Sequence, residues 1–318
     1  MSDAKSLNKN ESNSKMSPML KEVYNSVAES YITIDVSIAE KEQSLITSKY
    51  GGLPYIPQGE DCLRDEHGYP YLLFAQFNFT ELSQQAGQHS DLPQEGLLQI
   101  FLPIFNTEIF LHDKDFDTSK CIRFYAELPT QPANQAVINE IRTLWRDVES
   151  LWDANNDEYR NLSKDRCEWF EKKYPNSSYF LPFYKEMTLG FSQKVGYPVT
   201  GDIAFDRETE GYSHLTLSEE EWTFYEQMTY STEGNQVLGF GTFCQGDPRY
   251  VCDYPEGDVE RLSNLRLFFQ LTSTKYIKNE NGKRYNIIPI DGEFQFFIDK
   301  EDLKNQNFHN MMFHFACT

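Results

Sequence analysis

Basic residues are scarce in this chain. Only 29 Lys and Arg stand against 49 Asp and Glu, a formal charge of −20. Nucleic-acid affinity rests on clustered Lys and Arg that displace counterions, so this balance argues against a phosphate-backbone partner. It equally disfavours an anionic membrane surface. Long apolar runs are missing too: stretches such as Leu97–Phe105 fall far short of the roughly 20 residues a membrane-spanning helix needs. The opening MSDAKSLNKNESNSK has no apolar segment of the kind a secretory signal requires. The six cysteines, Cys62, Cys121, Cys167, Cys244, Cys252 and Cys317, are scattered and form no C-x-x-C. That pattern reads as free thiols in a reducing compartment. Together these absences predict a cytoplasmic protein that contacts neither nucleic acid nor membrane.

The usual catalytic and metal signatures are absent as well. No G-x-S-x-G nucleophile elbow occurs. The six histidines, His67, His89, His112, His214, His309 and His314, supply no H-x-x-x-H. The acids Glu60, Asp61, Asp65 and Glu66 lack the alternating carboxylate spacing of a calcium loop. The loop GGLPYIPQG invites comparison with a phosphate cradle, but Pro54 and Pro57 remove two N–H donors and no lysine follows Gly59. It reads instead as a tight turn that presets the next strand. Neither a metal nor a cofactor is expected.

Aromatic side chains, by contrast, are abundant, with 24 Phe and 19 Tyr, which favours strands as the main scaffold. YITIDVSI at Tyr31–Ile38 alternates cleanly, with Ile32, Ile34, Val36 and Ile38 on one side. LLFAQFNF, GLLQIF and the segment Lys120–Glu127 read as further strands, with a helical turn near Glu81–Ala86. In Asn134–Trp152 the apolar positions Val137, Ile138, Ile141, Leu144, Trp145 and Val148 recur every three or four residues, the mark of an amphipathic helix. Further helices are expected at Met19–Ala28, around Glu168–Lys173, and from Ser218, which begins an S-x-x-E capping box. The fold class is therefore mainly β (α+β), roll-like. Residues 1–17 form a flexible arm, 18–130 a first β-rich half, 131–230 a helical central insertion and 231–318 a second β-rich half.

The two halves share a phrase. Gln76 in LLFAQFNF and Gln270 in LRLFFQLT lie 194 positions apart, Gln99 and Gln295 lie 196 apart, and Gly51 and Gly239 lie 188 apart. Landmarks in one order at nearly one offset predict an internal duplication, with pseudo-symmetric halves that cover each other's apolar faces. A glutamine on a strong strand must find partners for its amide. Gln76 and Gln270 either pin the neighbouring glycine loops or line a cleft between the halves. Gln245, Asp247 and Arg249, in QGDPR, join them as ligand-binding candidates, although Asp-Pro after Gly also reads as turn chemistry.

Several segments together resemble the YwqG-like, or DUF1963, family: SKYGGLPYIPQG, LLFAQFNFTEL and LPQEGLLQIF in the first half, then GFGTFCQGDPR, LRLFFQL and GEFQFFIDKEDL…FHNMMFHFACT in the second. The chain departs from the family pattern at Cys62, usually Trp, at Ala316, usually Asp, and at Phe240, which interrupts Gly-Gly-Tyr-Pro. The resemblance implies a mainly β roll with pseudo-symmetric halves and no established activity. Members that occur beside secreted-toxin genes suggest toxin neutralisation. The expected function is thus a non-enzymatic acidic protein-binding module whose partner is a basic, toxin-like protein; the alternative is a small-molecule enzyme or sensor with a cleft between the halves.

Overall fold

The computed structural model describes residues 28–103, 118–151, 164–175, 183, 185–199, 202–203, 218–219, 234–250, 262, 264–272, 276–278, 284–286 and 292–317. The expected helices at Met19–Ala28 and from Ser218, and the arm 1–17, lie wholly or almost wholly outside them.

The protein is mainly β. In chain order its elements are β1 (Glu29–Ile38), β2 (Lys49–Tyr50), β3 (Leu72–Asn78), α1 (Phe79–Ala86), β4 (Leu97–Leu102), β5 (Ile122–Tyr125), α2 (Gln135–Glu149), α3 (Lys164–Lys173), β6 (Met187–Gly196), β7 (Gln236–Val237), β8 (Leu265–Thr272), β9 (Tyr276–Lys278), β10 (Arg284–Asn286), β11 (Gly292–Asp299), α4 (Lys300–Lys304) and β12 (Met312–Cys317). Ten strands form one curled antiparallel sheet in the order β12-β11-β8-β7-β1-β6-β2-β3-β4-β5, while β9 and β10 make a separate hairpin.

That order is unchanged when β1 to β5 are exchanged with β6, β7, β8, β11 and β12 and the sheet is read from its other end. The opening strands are crossed over. β1 pairs with β7 of the second run, and β6 pairs with β2 of the first, so each run's first strand completes the other's sheet. β1 and β6 then pair with each other along their full lengths, from Glu29↔Gly196 to Ile38↔Met187.

Strand β6 was not visible in the sequence pattern, which assigned the central segment to helices. The segment does hold α2 and α3, yet β6 sits at the middle of the sheet. In MTLGFSQKVG only Met187, Leu189 and Phe191 alternate as buried positions, and the following four residues face solvent. The apolar alternation stops at Phe191, and the rest of the strand, SQKVG, carries no continuing apolar face to mark it.

Elsewhere the local signals fold as the residues dictate. Asn134 caps α2, its side chain accepting the Val137 N–H, and the stripe Ile138, Ile141, Leu144, Trp145 and Val148 is buried. Asn78 ends β3 and caps α1 by accepting the N–H groups of Thr80 and Glu81.

One hydrophobic cluster runs through both runs of strands. Phe77 of β3 meets Phe269 of β8 with ring centroids 5.1 Å apart, and Phe74 meets Phe294 of β11 at the same separation. The curl brings the sheet's ends together. Phe308, in a 3₁₀ turn before β12, packs on Phe124 of β5 and on Phe79, and Thr118 Oγ1 donates to the Met311 carbonyl. Rings from both runs of strands thus share one core.

Candidate functional site

The glutamines settle under the loops that follow β2 and β7. Gln76 and Gln99 face each other across β3 and β4, and Gln270 and Gln295 across β8 and β11; all four are fully buried. Gln99 Nε2 donates to Gln76 Oε1 at 2.7 Å and to the Tyr55 carbonyl at 3.1 Å. Gln295 Nε2 donates to Gln270 Oε1 at 2.9 Å and to the Thr242 carbonyl at 2.7 Å. Gln76 Nε2 reaches the Thr47 carbonyl, and Gln270 Nε2 that of Gly234.

The match extends to the backbone. Phe74 and Phe268 are the extra residues where the register shifts, one in each run. A bulged residue leaves its carbonyl outside the ladder, and these two accept the N–H groups of Gly51 and Leu238. Both acceptors are met by loops that turn through two successive left-handed residues: Gly51 and Gly52 at φ 66° and 75°, Leu238 and Gly239 at φ 63° and 77°. The structural partner of Gly239 is therefore Gly52, one residue on from the Gly51 that sequence matching pairs with it. Leu238 occupies the left-handed position that Gly51 takes in the first run, which hides the register.

Two buried ion-pair sets flank this framework. Arg249 is held by a turn in which Asp247 accepts the Arg249 N–H at 2.9 Å. Its guanidinium Nε donates to Asp247, Nη1 to the Leu265 carbonyl at 2.9 Å, and Nη2 to Asp202 and Asp247, each at 2.7 Å. The rings of Phe243 and Phe297 flank it. Burial opposes its charge, but the two carboxylates outweigh that and raise its pKa. Asp247 Oδ2 also accepts the Ile203 N–H. These hydrogen bonds join three segments: residues 202–203, the 247–249 turn and the start of β8. Gln245 is exposed on the same loop.

In the first run the buried cation is Lys49, whose Nζ donates to Glu186 at 3.0 Å and to the Ser44 carbonyl at 2.9 Å. Burial pulls its pKa down, only partly offset by Glu186. Lys49, Asp202 and Glu186 carried no motif that sequence reasoning could have singled out; only their burial as charges marks them.

The remaining candidates are inert or internal. The Cys62 thiol is pushed up to about 12 by burial, so the reactive thiolate is suppressed. His309 lies in a 3₁₀ turn and His314 on β12, where Nδ1 meets Gln295 Oε1 at 3.1 Å. Among the described residues no group of three or more His, Cys, Asp or Glu side chains is arranged to hold a metal, and no helix is long and apolar enough to cross a membrane.

A narrow cleft opens where the two runs meet, lined by Glu29, Asp202, Arg249, Arg266 and Lys300 among others; Gln76 and Gln270 are not among its lining residues. Arg266 crosses between the runs, pairing with Asp91 at 3.0 Å and with Glu29.

Residues 48–317 match a family described as "Domain of unknown function (DUF1963)". No curated protein matches the chain.

Proposed function

The chain belongs to the DUF1963 family, and from that premise we propose that it is a protein-binding module that neutralises a basic, toxin-like partner in the cytoplasm. The observation that carries this reading is the charge of −20. A field of that sign accelerates encounter with a cationic protein and suppresses binding to anionic ones. Asp61, Glu66, Glu60 and Glu140 supply exposed carboxylates around the loop after β2, with side chains 46% to 77% accessible. Support also comes from the internal engagement of Gln76, Gln270, Asp247 and Arg249, whose hydrogen bonds all serve the framework. We further read the shared hydrogen-bond set of the two runs as the trace of an internal duplication.

The test is co-expression with the protein toxin encoded by a neighbouring gene. The expected result is rescued growth and a complex recovered by pull-down that weakens as salt rises. Neither rescue nor complex overturns the reading.

A further inference from the structure

Strand β6 outruns its neighbour. β2 pairs with it only at Met187 and Thr188, so the edge beyond lies open on that side. In the β1–β6 ladder the paired residues Ile34 and Phe191 turn their N–H groups away from each other, to the Asn235 carbonyl and to Gln85 Oε1. Every second residue of an antiparallel strand repeats that direction, so the N–H and C=O of Gln193 and Val195 also point away from β1. Side chains cap comparable groups close by: Gln85 meets the Phe191 N–H at 3.0 Å, and His89 Nε2 meets the Ser30 carbonyl at 3.1 Å. The outward main-chain groups of Gln193 and Val195 have no partner among the described residues. Residues 192–195 are all exposed, and Val195, 58% accessible, shares Phe191's face but lies past the core. Lys194, on the other face, stands opposite Tyr31 and has no ion pair among the described residues.

We propose that this edge docks an extended peptide segment carrying one acid between β-branched residues. The segment runs antiparallel to β6, as the sheet's own strands do. Its main chain pairs with Gln193 and Val195, its acid lies opposite Lys194, and a β-branched side chain covers Val195. A second copy of the chain fits poorly. Pairing the edge with itself through Gln193 and Val195 sets Lys194 directly against its own copy, and like charges opposite one another destabilise a ladder. Lysine on an edge blunts self-pairing in this way, while the same charge selects an acid. The site uses none of the carboxylates proposed to meet a basic protein.

The experiment is fluorescence anisotropy of the full chain with labelled TTVEVTT, TTVKVTT, and TTVEVTT N-methylated at both valines. Saturable binding of TTVEVTT is expected, with TTVKVTT about threefold to fivefold weaker. The methylated peptide should not bind, because its valines have lost the N–H groups that reach the edge. Lys194→Glu should reverse the charge preference. Lys194 is exposed, so this variant should melt at the parent temperature. Failure to saturate at millimolar TTVEVTT overturns the proposal, as does binding that survives N-methylation or an unchanged preference in Lys194→Glu. A dimer in sedimentation velocity that Val195→Pro dissociates gives the edge to a second copy and overturns it too.

Discussion

Gln99 donates to Gln76 across the β3–β4 ladder, and Gln295 makes the same bond to Gln270 across β8 and β11. In each run the pair joins two strands to the loop above them, because the donating amide also reaches a loop carbonyl. A buried amide is stable only when its polar atoms are matched. The pairs therefore hold the loops in register with the sheet.

Removing one amide strands its partners. Gln76→Ala leaves the Leu45 and Thr47 carbonyls without their side-chain donor and is expected to cost about 1–3 kcal/mol. A double-mutant cycle of Gln76 with Gln99 should show a coupling of about 1 kcal/mol. The Gln270–Gln295 cycle should give a similar value. Urea denaturation of the four singles and two doubles measures this; additive losses in either run would show that its pair is not the linking contact.

The Lys49–Glu186 pair should be costly to break and cheap to replace. Lys49→Met leaves Glu186 as a largely buried charge without its cation and is expected to destabilise by about 3–5 kcal/mol. Adding Glu186→Leu should restore much of that loss, since apolar pairs often substitute for buried ions without penalty. A double variant as unstable as Lys49→Met alone contradicts this account.

Two glycines with similar backbones should respond differently to alanine. Gly52 and Gly59 both have positive φ, which costs a residue with a side chain about 1 kcal/mol. A Cβ at Gly52 would lie 2.3 Å from Glu186 Oε1, whereas one at Gly59 meets nothing within 4 Å. Gly59→Ala should lose only the conformational part. Gly52→Ala should lose clearly more, because the Lys49–Glu186 pair must shift. Equal melting temperatures would refute the steric argument.

Acidification should act through His314. Burial lowers its pKa below the ordinary 6.5, against a smaller opposing pull from Asp247. On unfolding the ordinary value returns, so the unfolded chain takes up the proton first as the pH falls. Stability present above 6.5 is therefore lost as the pH drops through the lower folded value. His314→Gln should flatten that part of the stability–pH curve while keeping a donor for Gln295. An unchanged slope would assign the acid sensitivity to other groups.

Much of the scaffold was legible because the residues that build it act locally. The alternation in β1 and the helical stripe of α2 report burial directly, and the caps at Asn78 and Asn134 need only near neighbours. The burial of Gln76 and Gln270 could also be read, since a polar residue inside a strong apolar run must face inward or interrupt it. β6 could not, because half of its length faces water. The cleft could not either: Glu29, Asp91 and Arg266 have no sequence relationship, and their pairing depends on how far the sheet curls.

By itself the chain determined that it would be rich in strands, strongly acidic, and marked twice by glutamines in strong apolar runs, because periodicity, charge and local phrasing can be read directly along the sequence. Only the tertiary structure decided that β1 and β6 trade places between the runs, that Leu238 stands where Gly51 stands, and that Arg266 pairs with Glu29 and Asp91 of the other run. Those outcomes rest on contacts between residues far apart in the chain, and such contacts exist only once the sheet has closed on its shared core.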